Sequence, residues 1–595
     1  MTLESKPTDV AGCQLRPANF STLTEALDYA ALSRAGFNFY SPRGELLCVL
    51  PYRDLRDQAT SLARRMLRAG LRAGERVAII AETGPDFMRA FFASQYAALV
   101  PVPLPTPGAF AGRANYINHI HPMLASAKPK AVLAPEVFLD LARQAAAGAE
   151  VDLVGAFGEL EGTPEDDQDL PPVRQDDLCY LQFSSGSTRS PTGVAVTHRA
   201  LLANARGIVR DGLKVTPGDR CTSWLPFYHD MGLVGFVLAP LSSQLSTDYV
   251  APDGFARRPL IWPTLISRNG ATISYSPSFG YDLCTRRAMN ADTGHFDLSK
   301  WRVAGIGGDV IRRGILSRFA DAFGGCGFRK EAFVASYGMA EATLGISFAP
   351  LDRGIEVDRV DLGRLRREGR ATPADGDSVR ELVLCGLPLS GHELEIRDTD
   401  GTVLREREVG RIVVRGPSVM GEYFGRREET ARVLSPDGWL DTGDLGYLVG
   451  QSLVVAGRSK DLILINGRNV WPEDLELAIE HHIGEVRRGD VVAFSVDERE
   501  AERVVILVQC RTSDPGLRET LRSTVASVIL ATAGLNCSVV LVSHNALPRT
   551  SSGKMSRMRA RDLYLASLLG EPQQHAAAAK IASDSDPDIQ VLHSS

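Results

Sequence analysis

The sequence predicts an α/β protein with a large N-terminal domain of layered sheets and helices, a small β subdomain and a small C-terminal α/β domain. Helical and strand patterns alternate along the first part of the 595-residue chain. Apolar residues recur at helical spacing over 55–71, and residues 76–80 follow as a short buried-strand pattern. This alternation is typical of mostly parallel sheets covered by helices.

Further patterns continue this order along the chain. A helical pattern covers residues 85–99, an extended segment covers 100–105, and residues 131–134 form another short apolar run. Over 393–447, short strand patterns alternate with Gly and Asp turns and predict the β subdomain. A compact α/β segment then extends to about residue 566, which predicts the C-terminal domain.

We therefore expect an N-terminal domain over residues 1–457 and a C-terminal domain over 463–566, joined at a charged turn over 458–462. Within the first domain, residues 351–380 are markedly polar and show little periodicity, which predicts an insertion. The last segment, 567–595, is rich in Gln, Ala, Ser and Asp and is predicted to be disordered.

Composition excludes several classes of protein. A formal net charge of −6 argues against a general nucleic-acid binder, which concentrates basic charge on one face. The nine cysteines lie far apart without a CxxC pair, so reduced thiols and a cytoplasmic location are expected. The N-terminus lacks the pattern of a signal peptide, and the apolar runs are too short to cross a bilayer, so no transmembrane contact is expected.

The most informative motif is a group of hydroxyls and a glycine between two apolar runs. Hydroxyl groups at Ser184, Ser185, Ser187 and Thr188 can donate to phosphate, and Gly186 lets the backbone turn so that its amides face an anion. The loop is neither a Walker A sequence nor a dinucleotide fingerprint. Taken alone, the loop is better explained as a polar hairpin turn than as a phosphate site.

Two downstream motifs carry further polar groups. His229 lies among aromatic and apolar residues, where a histidine usually has a structural role. The run from Ser336 to Thr343 places the ring of Tyr337 and the carboxylate of Glu341 within one short turn. Such a turn can stack a base, hold Mg²⁺ and touch a phosphate, although an ordinary helix cap would look similar.

Two more motifs complete the series. Asp444 lies in a glycine-rich turn and could accept both hydroxyls of a ribose, or simply cap a β-turn. Lys554 follows a Pro and Gly turn near the end of the chain, where an exposed lysine usually has no function. Five such signals in this order, from Ser184 to Lys554, are very hard to obtain by chance.

In these motifs the chain resembles the adenylate-forming superfamily of acyl-CoA synthetases, peptide-synthetase adenylation domains and luciferases, over residues 19–564. Within it, the sequence is most similar to the fatty acyl-AMP ligases. The segments that carry this similarity are Ser-Ser-Gly-Ser-Thr-Arg-Ser-Pro, Leu-Pro-Phe-Tyr-His-Asp-Met-Gly, Gly-Ile-Gly-Gly-Asp and Asn-Gly-Arg-Asn-Val-Trp-Pro-Glu-Asp.

The resemblance implies ATP and Mg²⁺ as cofactors and two chemical steps. A fatty acid carboxylate attacks the α-phosphate of ATP to give acyl-AMP and pyrophosphate, and a thiol then takes the acyl group. Between the steps, the C-terminal domain rotates about Lys460, although a solvated turn there is the plainer interpretation. Such catalysis depends on positioning two anions and stabilising charge.

The resemblance also implies a role for each site residue. The expected phosphate ligands are Ser184, Ser185, Gly186, Ser187 and Thr188, with Thr343 on the α-phosphate and Glu341 on Mg²⁺. Tyr337 would stack on adenine beside Gly307, Gly308 and Asp309, and Asp444 and Arg458 would bind the ribose. Ser336, Gly338 and Met339 are further expected ATP ligands. Lys554 would bridge the carboxylate and the α-phosphate, His229 would lie at the carboxylate, and the expected acyl-pocket walls are Trp224, Phe227, Met231 and Phe279.

Some positions depart from the wider family. Arg189 and Thr192 stand where most relatives carry Gly and Lys, so one phosphate-binding charge is missing unless Arg189 supplies it. Near the adenine, many relatives show Asn-Gly-Ala-Glu-Pro, whereas this chain has Ile-Gly-Gly-Asp-Val over 306–310. That difference weakens the expectation of a specific amide contact to adenine.

The polar segment 351–380 makes the distance between Glu341 and Gly386 longer than CoA-forming relatives usually have. In fatty acyl-AMP ligases, an insertion here restrains the rotation that CoA use needs. We therefore expect transfer to the phosphopantetheine thiol of a holo acyl carrier protein, although a passive surface loop would account for the same residues.

Three alternatives remain beside this interpretation. A long-chain fatty acyl-CoA synthetase is the first. A non-catalytic adenylate-binding regulator is disfavoured because Glu341, Asp444, Arg458 and Lys554 are all present. An amino-acid-activating domain is disfavoured because Asp230 is the one acidic residue near 224–231, and it belongs to the His-Asp pair.

Overall fold

The computed structural model describes residues 13–109, 112–166, 168–183, 191–376, 378–465, 468–498, 501–549 and 555–566. It has the predicted α/β character and two compact units. The large unit extends to Asp361 and includes Pro373–Ala456, and the small unit combines Leu362–Thr372 with the chain from Gly457 onward. The predicted phosphate loop at 184–188, Arg189, Lys554 and the tail 567–595 lie outside the described residues.

The largest sheet of the large unit has nine strands among the described residues, most of them parallel. Its strands, labelled here in chain order along the whole protein, are β1 (Gly36–Tyr40), β2 (Leu46–Pro51), β9 (Arg220–Ser223), β10 (Ser246–Val250), β11 (Ile273–Ser276), β12 (Val303–Ile306), β13 (Phe333–Gly338), β14 (Gly345–Phe348) and β17 (Leu387–Pro388). Their spatial order is β17-β14-β13-β12-β11-β9-β10-β1-β2.

A second sheet is wholly parallel, with the order β4-β3-β5-β6. Its strands are β3 (Arg76–Ile80), β4 (Val100–Leu104), β5 (Ala131–Ala134) and β6 (Leu153–Ala156). The strand patterns predicted at 76–80 and 131–134 are confirmed. An antiparallel hairpin of β7 (Leu178–Phe183) and β8 (Gly193–Thr197) follows. Because β7 ends at Phe183, the predicted phosphate loop begins where a strand ends.

The predicted β subdomain is a four-stranded sheet of β18 (Glu393–Arg397), β19 (Gly410–Arg415), β20 (Leu440–Val449) and β21 (Ser452–Arg458). A separate hairpin pairs β15 (Val357–Asp361) with β16 (Val379–Val383). Asp358 on β15 accepts hydrogen bonds from Arg407 at 2.9 Å and from Tyr447 at 2.8 Å. These contacts anchor the hairpin within the large unit.

Helices cover the sheets of the large unit. They are α1 (Leu23–Ala30), α2 (Tyr52–Arg68), α3 (Pro85–Tyr96), α4 (Arg113–Ala127), α5 (Leu139–Ala146), α6 (His198–Gly207), α7 (Asp230–Leu233), α8 (Ala239–Leu241), α9 (Pro252–Arg257), α10 (Ile261–Asn269), α11 (Ser278–Ala288), α12 (Arg313–Phe323) and α14 (Arg427–Val433). In α2 the buried positions Leu55, Ala59, Ala63 and Met66 recur at helical spacing, so one face packs inward, as the sequence pattern predicts.

The small unit has its own core. Its strands are β22 (Ile463–Ile465), β23 (Arg468–Val470), β24 (Val491–Glu498), β25 (Ala501–Gln509) and β26 (Cys537–Val542), and its helices are α13 (Leu362–Glu368), α15 (Pro472–His482), α16 (Pro515–Ala533) and α17 (Arg557–Leu565). Strands β24, β25 and β26 form one sheet, with α15 and α16 packed beside it. Branched aliphatic side chains dominate this core.

The polar segment 351–380 is more ordered than its weak periodicity suggests. It contains β15, α13 and the start of β16. Helix α13 belongs to the small unit, lies against β23, and carries the buried Leu365. The guanidinium of Arg366 is 3.8 Å from the carboxylate of Asp474. The elements were missed because each is too short to show a full helical or strand repeat.

Two absences can be stated for the described part of the chain. No helix there combines the length and apolarity that a membrane span requires. All nine cysteines lie in that part, and each is a free thiol.

Gly305 on β12 tests the packing of the main sheet. A Cβ there would lie 2.0 Å from ring atoms of the buried Tyr275. We expect Gly305→Ala to lower the free energy of unfolding by about 3 kcal/mol or more, because the crowded ring must move. The measurement is urea denaturation followed by circular dichroism. In the control Gly324→Ala, an added Cβ meets no atom within 4 Å and φ is −59°, so a comparable loss there would contradict the crowding explanation.

Candidate active site

Four groups of predicted site residues lie at one edge of the main sheet. Trp224 directly follows β9, Phe279 follows β11, and Gly307 directly follows β12, while Ser336 lies near the carboxyl end of β13. These four strands are parallel neighbours. The carboxyl ends of parallel strands share an edge, and ligands of α/β proteins commonly bind there. The sheet therefore gathers residues that are more than 100 positions apart in the chain.

Tyr337 and Asp444, predicted for adenine and ribose, are brought together. The phenol of Tyr337 donates to Oδ2 of Asp444 at 2.7 Å. Gly307 packs so closely on β13 that a Cβ there would lie 2.9 Å from the carbonyl oxygen of Ser336. Beside it, Gly308 has φ of +72° and Asp309 is exposed, with its Oδ1 accepting from the Val310 amide at 2.7 Å.

Glu341 is held from two sides by one segment of the chain. The phenol of Tyr423 donates to Oε1 of Glu341 at 2.9 Å, and the amide of Met420 donates to the Glu341 carbonyl at 2.8 Å. Glu341 itself is buried, with 8% of its surface exposed. Neither Tyr423 nor Met420 was predicted, because they lie about 80 residues away and carry no motif signal that sequence alone could rank.

The same turn carries Gly338, Met339 and Thr343. An added Cβ at Gly338 would lie 1.8 Å from the Leu344 carbonyl oxygen, so this position requires glycine. The Met339 amide donates to that same carbonyl at 2.8 Å. Thr343 is only 1% exposed, and its hydroxyl donates to the Ser418 carbonyl at 2.8 Å. The hydroxyl thus points into the protein, and the predicted α-phosphate contact would require it to leave this carbonyl.

Glu341 suits the expected Mg²⁺ ion. Mg²⁺ is commonly held by one or two carboxylates together with substrate phosphates and water. Among the residues described, no group of three or more His, Cys, Asp or Glu side chains is arranged to hold a metal ion. A single oriented carboxylate, next to a predicted phosphate site, has the donor chemistry that this mode of binding uses.

His229 lies at the start of α7 beside Asp230. Its Nδ1 is 2.6 Å from Oδ1 of Asp230, and the pair is partly exposed. The side-chain amide nitrogen Nε2 of Gln182 donates to the Tyr228 carbonyl at 2.7 Å. Gln182 is on β7, two residues before the predicted phosphate loop, so this bond links the end of β7 to the His229 turn. Gln182 was not predicted as a site residue, although a polar side chain within an apolar run is a signal that could have identified it.

Strand β8, which follows the predicted phosphate loop in sequence, is also linked to the site. The Ala195 amide donates to the Glu422 carbonyl at 3.1 Å, and the Phe424 amide donates to the Gly193 carbonyl at 2.8 Å. Strand β8, which follows the loop, is thereby paired with the segment that contains Tyr423. The described residues before the loop are therefore linked to the His229 turn through Gln182, and those after it are linked to Glu341 through the segment that contains Tyr423.

The predicted acyl-pocket walls differ in their environments. Trp224 stacks on Phe255 at 3.9 Å between ring centroids, and Phe279 meets the Trp224 ring edge-on at 5.5 Å. Phe255 was not predicted, since nothing in its sequence context distinguishes it from a core residue. Met231 is buried, with 8% of its surface exposed.

Phe227 does not fit the predicted role of a wall residue. It has no exposed surface, and its ring packs between Phe87 at 5.3 Å and Tyr249 at 5.0 Å. These contacts make the ring part of the hydrophobic core. Phe227 can therefore support the site from behind, but it does not line a pocket.

The remaining described site residues belong to the small unit. Arg458 ends β21, and Lys460 lies in the single helical turn Ser459–Asp461; both side chains are exposed. Asp461 differs, because its carboxylate is 3.1 Å from the guanidinium of Arg557 on α17. The structure thus ties Asp461 to the body of the small unit, while Arg458 and Lys460 precede that tie.

Arg557 is the centre of a buried cluster of charges. Besides Asp461, it pairs with Glu473 at 2.8 Å and with Glu476 at 2.8 Å. Three carboxylates around one guanidinium carry excess negative charge when all are ionised. Burial raises the pKa of Glu476 to about 7, although Arg557 opposes this shift, so Glu476 takes up the proton that relieves the imbalance.

Both sides of the Lys554 segment are held by backbone contacts. Arg549 and Met555 form an antiparallel bridge, and the Ser556 amide donates to the Pro548 carbonyl at 3.0 Å. Lys554 itself lies outside the described residues. Arg557 follows it by three positions, so the buried cluster holds the chain just beyond the predicted catalytic lysine.

A model of the AMP-binding enzyme family matches residues 48–424. The chain belongs to this family of AMP-binding enzymes. It is an adenylate-forming ligase, and the resemblance noted in its motifs is confirmed. A solved structure from a study of fatty acyl-adenylate ligases of E. coli and L. pneumophila superposes with a TM-score of 0.89 at 43% identity, covering 93% of this chain and 99% of that one.

Two curated relatives of this AMP-binding enzyme carry different names. A protein of Caulobacter vibrioides, provisionally named an acyl-CoA synthetase, is 50% identical over 94% of this chain and 97% of its own length. The medium-chain-fatty-acid–[acyl-carrier-protein] ligase JamA of Moorena producens is 29% identical over 95% of this chain and 98% of its own length.

The Glu476 cluster predicts a pH dependence of stability in the small unit. Because the folded-state pKa of Glu476 is above the ordinary value of 4.5, folding takes up a proton between these values. The free energy of unfolding therefore falls as pH rises from 4.5 to about 7. We expect Glu476→Gln to weaken this dependence, measured in the full chain by hydrogen exchange of the 472–482 helix after correction for intrinsic rates.

The matched control for this prediction is Glu485→Gln. Glu485 is exposed and lies just beyond α15. Its substitution should leave the slope of protection against pH unchanged. An unchanged slope in Glu476→Gln would instead show that Glu476 does not bind the extra proton.

Proposed function

We propose that this AMP-binding enzyme activates a fatty acid with ATP and passes the acyl group to the phosphopantetheine thiol of an acyl carrier protein. The observation that supports the acceptor most strongly is the division of the polar insertion between the two units. Strand β15 is anchored in the large unit through Asp358, whereas α13 belongs to the small unit.

The first step joins a carboxylate oxygen of the fatty acid to the α-phosphorus of ATP. The bond from that phosphorus to the bridging oxygen breaks, and pyrophosphate leaves with the electron pair. Tyr337 would stack on adenine, Asp444 would accept the ribose hydroxyls, and Glu341 would hold Mg²⁺, which supplies charge neutralisation at the phosphates. Lys554 and His229 would reduce the repulsion between the carboxylate and the α-phosphate.

In the second step the thiol sulfur forms a bond to the acyl carbonyl carbon, its proton is released, and AMP leaves. Thr188 and the other hydroxyls of the 184–188 loop have no part in this step, because pyrophosphate has already left. Arg458 at the ribose would remain relevant while AMP is bound. The chain's contribution to transfer is therefore to admit the carrier's thiol to the acyl-AMP.

The covalent path of the chain supports a carrier protein as the proposed acceptor. The chain passes between the units at 361/362, at 372/373 and at 456/457, so three connections join them. A rotation about Lys460 alone would strain the first two connections unless α13 left the small unit. We infer that α13 limits this rotation and so disfavours free CoA as the acceptor.

The relatives support this proposal unequally. JamA is named for transfer to an acyl carrier protein, and FadD32 of Mycolicibacterium smegmatis, 30% identical over 89% of this chain, is named a long-chain-fatty-acid–AMP ligase. The more similar Caulobacter vibrioides protein is named an acyl-CoA synthetase. A fatty acyl-CoA synthetase is therefore the second candidate, and the two differ in the thiol that accepts the acyl group.

Replacing the α13 segment tests the acceptor. We expect a variant with residues 362–372 exchanged for a Gly-Ser linker of equal length to gain acyl-CoA formation while keeping acyl-AMP formation. The milder Leu365→Ser should act in the same direction, because Leu365 is buried. Products with CoA and with holo acyl carrier protein are quantified side by side by mass spectrometry across a fatty acid series.

Arg367→Ser is the control, because Arg367 lies on the same helix and is exposed. Acyl-CoA yield should be unaffected in this variant. Fast and equal acyl-CoA release by the unaltered protein and by the linker variant would favour the acyl-CoA synthetase instead.

A lysine substitution tests adenylation itself. We expect Lys554→Ala to reduce acyl-AMP formation on the order of 100- to 1,000-fold, because one cation is lost where charge develops. Binding of ATP, measured by isothermal titration calorimetry, should persist, since the other phosphate ligands remain. Unimpaired acyl-AMP formation in this variant would exclude the proposed role of Lys554.

A further inference from the structure

Thr343 has a backbone conformation that β-branched residues rarely adopt. Its φ is +71° and its ψ is −55°, and the Leu344 amide donates to the Ala342 carbonyl at 2.9 Å across it. This is a γ-turn, a strained arrangement for any residue with a Cβ. Such a residue is destabilised by about 1–3 kcal/mol and persists only where its surroundings hold it.

Ser418 holds this turn through both its main chain and its side chain. Its carbonyl accepts the hydroxyl hydrogen of Thr343 at 2.8 Å. Its own hydroxyl is 3.1 Å from the carbonyl of Ala342, the residue that precedes the strained position. Ser418 has no exposed surface, so no solvent competes for these contacts.

Two further side chains hold Ser418 in place. Asn204 donates from Nδ2 to the Ser418 hydroxyl at 3.0 Å and to the Gly345 carbonyl at 2.8 Å, and its Oδ1 accepts from the Gly345 amide at 3.0 Å. The Nε2 atom of His392 is 2.6 Å from the Ser418 hydroxyl. Asn204 thus links Ser418 to Gly345, which directly follows the γ-turn at 342–344.

The hydrogens in this cluster can be assigned. Nδ1 of His392 lies 3.3 Å from the Ser390 carbonyl, which can only accept. Burial lowers the pKa of His392, although that carbonyl opposes the shift, so the ring is neutral near pH 7 with its hydrogen on Nδ1. Nε2 is then an acceptor, and the single hydroxyl hydrogen of Ser418 is shared between His392 and the Ala342 carbonyl.

The strained turn lies two residues after Glu341, and the segment that holds it also holds Glu341. Met420 and Tyr423, close to Ser418 in the chain, bond the Glu341 main chain and carboxylate. We propose that Ser418, supported by His392 and Asn204, is a positioning residue for adenylation: it keeps Thr343 in its γ-turn and so fixes the direction of the Glu341 carboxylate. This role presupposes the adenylation proposed above.

Substitution of Ser418 separates positioning from binding of the fatty acid. We expect Ser418→Ala to lower kcat for acyl-AMP formation on the order of 10- to 100-fold, because small displacements of positioned groups have effects of this size. KM for the fatty acid should not change. Independently of turnover, Mg²⁺ should strengthen binding of the uncleavable analogue α,β-methylene ATP less in the variant than in the unaltered protein, as measured by calorimetry.

A second substitution tests the link to strain. Glycine adopts positive φ freely, so Thr343→Gly removes the strain that Ser418 is proposed to restrain. We expect Ser418→Ala to reduce kcat less in the Thr343→Gly background than in the unaltered protein. Equal losses in both backgrounds would show that Ser418 acts only as part of the general core and would overturn the proposal.

Ser347→Ala is the matched control. Ser347 is a fully buried serine on β14, and its hydroxyl has no hydrogen-bond partner among the described residues. Its loss should change neither kcat nor the effect of Mg²⁺ on analogue binding. A loss of kcat like that of Ser418→Ala would indicate that any buried hydroxyl here matters and would contradict a specific role of Ser418.

Tyr423→Phe keeps the test decisive if Ser418→Ala does not fold. It removes only the hydroxyl that donates to Glu341 and should produce the same weakened Mg²⁺ effect on analogue binding. An unaltered Mg²⁺ effect would refute the positioning of Glu341 by this segment.

Absence of acyl-AMP in the unaltered protein would refute the proposed function. Normal acyl-AMP formation by the unaltered protein and by both variants would refute only the positioning role.

Discussion

The hydrogen bonds between the turn at 339–345 and the segment 418–423 are the constraint on which the rest of the site depends. They hold Thr343 at positive φ and orient the carboxylate of Glu341. The same segment pairs with β8, which emerges from the predicted phosphate loop. Through this segment, β8 is linked to the carboxylate of Glu341.

The main sheet supplies the second level of organisation. Its parallel strands place the residues that follow β9, β11 and β12, together with the end of β13, at one edge, where ligands of α/β proteins commonly bind. Tyr337 and Asp444 are joined across 107 positions by a single hydrogen bond. The described residues that are predicted to bind the nucleoside are therefore held by rigid elements, which suits a reaction that depends on positioning.

The small unit has a comparable anchor in Arg557. Its contacts with Asp461, Glu473 and Glu476 join three parts of the chain. These are the turn Ser459–Asp461, helix α15, and the start of α17 just beyond Lys554. A pivot at Lys460 would consequently have a sharp boundary, because the next residue is already tied down. Helix α13 adds two more chain connections between the units, and any limit on the thiol acceptor follows from that path.

The sequence by itself determined the α/β class, strands such as 76–80 and 131–134, the family, and the order of chemically distinctive residues from His229 to Asp444. Local periodicity and short motifs encode these features directly. Only the tertiary structure decided that Phe227 is a core residue, that the Thr343 hydroxyl faces inward, and that Gln182, Ser418 and Tyr423 support the site. Those outcomes depend on contacts between distant segments, and a single sequence has no local signal for such contacts.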